Sequence, residues 1–155
     1  MTYKLIVTIK LKSMQQVILA LTLLITSMIF AQTTPNKLEE GISVTVTAGN
    51  ALSDNGTVKF AFYSEENFMK QPIYAKSASV ENGKSTVVFE NVPQGIYAII
   101  CFHDENGNNS MDFDESRMPI ESYGLSNNRL NFGPPEFDSA KFEVKDNALN
   151  LEIKF

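Results

Sequence analysis

Ile96-Tyr97-Ala98-Ile99-Ile100-Cys101-Phe102 is an apolar run with no polar break. It has the length of a strand and leaves no polar face for water. The run therefore predicts a strand covered on both sides, near the middle of a sheet. Just before it, Asn91-Val92-Pro93-Gln94-Gly95 is a turn signal. Before that turn, Ser85 to Glu90 sets Val87 and Phe89 on one face, a half-buried strand. A short strand is expected at Lys76 to Val80, closed by the turn Glu81-Asn82-Gly83.

Further from the centre the same period of two returns. Ile42, Val44 and Val46 alternate with Ser43, Thr45 and Thr47, while Val58, Phe60 and Phe62 alternate with Lys59, Ala61 and Tyr63. Asp54-Asn55-Gly56 marks a turn between them. Ser64 to Ala75 has no period and contains Pro72, so it reads as a crossing loop whose Phe68 returns to the core. Two strands close the chain, Ala140 to Lys145 and Leu149 to Phe155. The pattern predicts an all-β domain, a single Ig-like or prealbumin-like β-sandwich of about seven strands.

The first 31 residues carry a different signal. Lys4, Lys10 and Lys12 precede an apolar run from Val17 to Phe30 that closes at Ala31-Gln32. That is the order of a secretory signal peptide, and 14 residues fall short of the roughly 20 that a spanning helix needs. The domain reading is thus a signal peptide at 1–31, a flexible leader at 32–41 and the sandwich at 42–155. The implied location is secreted or periplasmic in a bacterium, with no membrane span after cleavage. Three lysines leave with the signal, so 10 basic residues then face 18 acidic ones. A surplus of negative charge excludes nucleic acid as a partner, because its phosphates would repel the chain. Cys101 is the one cysteine, so no internal disulfide forms. Eleven Phe and five Tyr supply the core instead.

Residues 104–135 hold no sustained period, and a connection of that length tends to carry function. It begins Asp104-Glu105-Asn106-Gly107-Asn108-Asn109-Ser110-Met111-Asp112-Phe113-Asp114-Glu115. Oxygen-bearing groups stand at positions 1, 3, 5, 9 and 12, the spacing with which one loop wraps a hard cation. The candidate metal set is Asp104, Asn106, Asn108, the carbonyl of Ser110, Asp112 and Glu115, and the candidate cofactor is Ca²⁺. No lysine or arginine lies among these twelve residues to offset five carboxylates. Asn109 takes the sixth position, where Asn tolerates a left-handed backbone. Pro119 prevents a long exiting helix, so this is not a helix–loop–helix EF-hand. His103 is the sole histidine, which rules out a histidine-rich zinc cluster.

Four stretches in order carry a family resemblance. They are Gly95-Ile96-Tyr97-Ala98, Phe102-His103-Asp104-Glu105-Asn106-Gly107-Asn108, Pro119-Ile120-Glu121-Ser122-Tyr123-Gly124-Leu125-Ser126-Asn127-Asn128 and Phe132-Gly133-Pro134-Pro135-Glu136-Phe137. Together they resemble the exported bacterial family known as domain of unknown function 2141, over roughly residues 42 to 155. The resemblance implies an exported β-sandwich and carries no activity with it. The stretch Phe89 to Tyr97 is also similar to segments of Cna-B-like and transthyretin-like sandwiches.

The resulting expectation is a non-enzymatic exported domain that binds a divalent cation, with a cell-envelope glycan or protein as a further partner. The alternative is a carbohydrate- or peptide-binding or hydrolytic protein that uses the 104–135 loop, for example Asp104 paired with Glu121. A small outer-membrane barrel fits less well, because its strands run to about 10 residues and Lys59 and Lys141 interrupt the expected ones.

Overall fold

The computed structural model describes residues 41–129 and 133–155. The signal peptide read at 1–31, most of the leader and Phe132 lie outside the described residues. Eight strands appear among those described. They are β1 (Ile42–Gly49), β2 (Thr57–Tyr63), β3 (Tyr74–Ser79), β4 (Lys84–Val92), β5 (Gly95–Asp104), β6 (Tyr123–Leu125), β7 (Phe142–Val144) and β8 (Leu149–Lys154). A 3₁₀ turn (Ser126–Asn128) and one helical turn, α1 (Phe137–Ala140), complete the set.

The strands form two sheets, and the all-β sandwich expected from period two is what the chain adopts. The smaller sheet has the order β4-β1-β8, with β1 antiparallel to β4 and parallel to β8. The larger runs β3-β2-β5-β6, and β7 also pairs with β5. Alternation decides which side chains face inward: Val44, Val46 and Ala48 from β1, Val58, Phe60 and Phe62 from β2, and Val87 and Phe89 from β4. In β4 the period slips by one residue. Val44 lies opposite Phe89 but Ile42 lies opposite Val92, with Asn91 at φ 57° between them. This bulge turns Val92 inward as well.

Phe62 is the hub of the core. Its ring lies 5.0 to 5.7 Å from those of Tyr97, Phe89, Tyr74 and Phe142, the separation of tilted and edge-on aromatic pairs. β5 is covered on both faces, as its unbroken apolar run predicts. Ile99 and Cys101 face the main core, while Ala98 meets Leu125 and Ala140, with Phe68 and Phe137 packed alongside. Ile96, at the start of the run, is the exception at 55 % exposure. Burial also pushes the Cys101 thiol up to about 12, so it stays protonated and unreactive at neutral pH.

Polar side chains close the free edges. Lys76 donates to the Val88 carbonyl, and the Ser85 hydroxyl donates to that of Ala78, so the edges of β3 and β4 occupy each other. On the opposite side Asn128 accepts from Lys154 N and donates to Glu152 O, standing in for a neighbour of β8. The buried Ser126 hydroxyl, just after β6, accepts from Ile99 N and donates to Ala140 O, joining β5 to α1. Gly124 permits this closure, since a Cβ there would lie 2.5 Å from Ile153 Cγ2.

The long connection is therefore less bare than its sequence suggests. Leu125 and Gly124 pair with β5, and the expected strand at 140–145 shortens to 142–144 behind a helical turn. Local periodicity cannot reveal a three-residue strand whose pairing comes from a distant neighbour.

Candidate functional site

The acidic stretch leaves the sandwich directly from the end of β5. Asp104 is the last residue of that strand and its side chain is fully buried. Its Oδ1 accepts from Gly107 N at 2.8 Å and its Oδ2 from Asn109 N at 3.0 Å. The turn this imposes needs left-handed residues, and Gly107 (φ 75°) and Asn109 (φ 64°) supply them. Asn109 thus fills the sixth position in the conformation expected of it.

The next two alternate residues repeat the device. Asn106 Oδ1 accepts from Asn108 N at 2.9 Å, and Asn108 Oδ1 accepts from Ser110 N at 2.8 Å. Positions 1, 3 and 5 therefore curl the backbone in three successive steps. Asp112, at position 9, closes the curl. The side-chain amide of Asn106 reaches its carboxylate at 2.6 Å and that of Asn108 reaches both oxygens at 3.0 Å. Asn106, Asn108 and Asp112 are thus drawn to one point, although the amides turn Nδ2 rather than Oδ1 toward it.

Counter-charge comes from outside the loop. Lys59, on β2, places its ammonium 3.4 Å from Asp104 Oδ2 and 2.6 Å from Asn109 Oδ1. Residues 104–115 have no such cation, but the sheet provides one. Burial alone raises the pKa of Asp104. The N–H groups of Asn109 and Gly107 and the Lys59 ammonium outweigh that effect, and the carboxyl lies below its usual value. Gly56 lets β2 and the loop meet: at φ 70°, a Cβ there would lie 2.1 Å from the Asp104 carbonyl.

Beyond Asp112 the chain makes a small hairpin. Ile120 N donates to Asp112 O and Asp114 N to Met118 O, with Phe113 bridged to Pro119. Asp114 is used up inside it, its Oδ1 accepting from Ser116 N and Met118 N. This fold-back separates the expected ligands. Glu115 is carried out to the exposed tip, and Glu121 is brought to Asp112 instead. Glu121 Oε2 accepts from Asp112 N at 3.2 Å, while its Oε1 is buried with no hydrogen-bond partner among the described residues. Ser110, whose carbonyl was expected to contribute, lies exposed on the rim.

Of the six residues expected to hold a metal, the structure gathers Asp104, Asn106, Asn108 and Asp112 around one curl. It leaves Glu115 away from Asp112. Sequence reasoning missed Lys59, one outward position in an alternating strand, and named Glu121 only as an acid paired with Asp104. Its place beside Asp112, nine residues back, could have been found only by foreseeing the hairpin. Among the described residues, no three His, Cys, Asp or Glu side chains stand together as a preformed metal centre. The oxygen set here is half amide. Its fit to a hard cation is chemical: oxygens only, with one buried carboxylate oxygen lacking a partner.

His103 borders the loop. It is 1 % exposed, its Nε2 bonds to the Asn55 carbonyl at 2.6 Å, and its ring stacks on Phe155. Among the described residues its Nδ1 has no hydrogen-bond partner, and it lies 3.5 Å from Glu105 Oε1. With Cys101 deep in the core, these two residues form no nucleophile–base pair.

Residues 45–152 match the family model described as "Uncharacterized protein conserved in bacteria (DUF2141)", and the chain belongs to that family. Neither the comparison with curated proteins nor that with solved structures gave a match.

Proposed function

We propose that this member of an uncharacterised bacterial family is an exported, non-catalytic β-sandwich module whose 104–121 loop binds Ca²⁺. The observation that carries the reading is the buried, unpartnered Glu121 Oε1 beside Asp112. A buried carboxylate oxygen with no donor among the described residues is costly, and a cation relieves that cost. The Asx turns at Asp104, Asn106 and Asn108 support it by curling the chain around one point. Rotating the Asn106 and Asn108 amides presents Oδ1 to that point at the cost of the bonds from Asn108 N and Ser110 N, so the loop must readjust as the ion enters. The shell would then comprise Asp104, Asn106, Asn108, the Ser110 carbonyl, Asp112 and, in place of Glu115, Glu121. The export part of the reading rests on the order of charges and apolar residues at 1–31.

Thermal melting tests the ion directly. Extracellular-type calcium sites bind with Kd on the order of 10⁻⁴ to 10⁻³ M. At about a hundredfold excess over Kd, binding to the native state alone adds about 2.7 kcal/mol. For a domain near 100 residues that raises Tm by about 10 °C. Glu121→Gln should remove most of the rise, and Glu115→Gln should leave it intact. An unchanged Tm at about 10 mM calcium relative to chelator sinks the calcium reading. A loss caused by Glu115→Gln but not Glu121→Gln sinks the revised shell alone.

A further inference from the structure

An asparagine followed by glycine is where a chain most readily attacks itself, because no Cβ keeps the glycine nitrogen away from the asparagine side chain. The chain has three such pairs, Asn55-Gly56, Asn82-Gly83 and Asn106-Gly107, and all three asparagines are exposed. For the attack, the glycine N–H must give up its proton and the nitrogen must reach the asparagine Cγ. A carboxylate that grips that N–H opposes both. Two of the pairs are gripped in this way. Asp54 accepts from Asn82 N at 3.0 Å and from Gly83 N at 2.8 Å. Asp104 accepts from Gly107 N at 2.8 Å, and the Asn106 amide is engaged at both ends, by Asp112 and by Asn108 N.

Asn55-Gly56 has no such guard. Asn55 N meets only the Ser53 hydroxyl, at 3.4 Å. Among the described residues, neither the Asn55 side chain nor Gly56 N has a hydrogen-bond partner. We propose that Asn55 is a self-modification site, at which the folded chain deamidates through a succinimide. Gly56 N loses its proton and attacks Asn55 Cγ, the Cγ–Nδ2 bond breaks, and ammonia leaves with the proton. Water then opens the ring at Cγ to give aspartate, or at the main-chain carbonyl carbon to give isoaspartate. Nothing is oxidised or reduced, and water is the one co-reactant. The isoaspartate form alters the seat of the acidic loop. His103 Nε2 donates to the Asn55 carbonyl at 2.6 Å, and that carbonyl becomes a free carboxylate. The path to Gly56 also gains a methylene, at the residue whose backbone lies against the Asp104 carbonyl. Conversion at residue 55 therefore loosens the loop from β2.

Peptide mapping of the full chain during prolonged warm incubation at mildly alkaline pH tests this, by reading acid in place of amide at each pair. Asn55 should convert at least about tenfold faster than Asn82 or Asn106, the rate equivalent of one hydrogen bond to a charged group. Its product should contain isoaspartate beside aspartate. In denaturant, where no carboxylate is held in place, the three rates should converge. The isoaspartate form, separated by its added charge, should exchange amide protons faster in residues 104–109 while β1 is unchanged. Equal rates at the three pairs in the native chain overturn the proposal, as does faster conversion at Asn82 or Asn106. Survival of Asn55 over a period in which the denatured chain converts also overturns it. Unchanged exchange at 104–109 overturns the link to the loop.

Discussion

The core around Phe62 and the loop that leaves Asp104 are ordered by opposite means. Four aromatic rings surround Phe62 at distances set by packing, and the region needs no specific donor or acceptor. The loop buries little apolar surface: Phe113, Met118 and Ile120 are all more than half exposed. Its shape comes from carboxylate and amide oxygens that accept backbone N–H groups one or two turns ahead. The two regions meet at β2, where Phe60 points inward, Lys59 points to Asp104 and Gly56 lets the loop's backbone approach. A sandwich can therefore hold a polar loop in fixed geometry without extending its core, by lending it one cation and one close contact.

Substitutions separate these two kinds of order. Phe62→Ala removes the ring that all four neighbours touch and should cost about 3–5 kcal/mol. Chemical denaturation should show the midpoint falling with little change in slope; a loss under 1 kcal/mol would mean that the aromatic hub is not the centre of stability. Gly56→Ala strikes the junction and should cost about 2–3 kcal/mol, through an unfavourable positive φ and a clash with the Asp104 carbonyl. If the strands are unharmed by it, amide exchange should rise first in residues 104–121 rather than in β1.

Asp104→Asn should have the smallest effect, a few degrees in Tm at neutral pH. The folded carboxyl titrates below its ordinary value. The stability it contributes is thus fully present above the unfolded pKa of about 3.9 and is lost as pH falls through the folded pKa. The gap between wild type and variant should hold steady from pH 7 to about 5 and close below about 4. A gap that persisted at pH 2 would show that shape, rather than charge, is what Asp104 contributes.

Much of the sandwich could be read in advance because each strand advertises its own faces. Val44/Val46, Val58/Phe60/Phe62 and Val87/Phe89 alternate with polar residues, and β5 is continuously apolar because two layers cover it. β6 was invisible for the opposite reason: Tyr123-Gly124-Leu125 has no period of its own and becomes a strand only against Ile100 to Phe102. The loop divides in the same way. The spacing of Asp104, Asn106, Asn108 and Asp112 and the left-handed Asn109 were legible, since Asx turns act over two to five residues. The places taken by Lys59 and Glu121 were not, since their partners lie 45 and 9 residues away.

The sequence by itself determined the class of fold, the strand that lies at its centre and the curl that gathers oxygens at one end. Only the tertiary structure decided which cation faces Asp104, which glutamate reaches Asp112 and which Asn-Gly pair is left without a carboxylate. Periodicity and turn chemistry are short-range and can be read from neighbours along the chain. Register between strands and the folding-back of a hairpin are long-range, fixed by which surfaces can be buried together.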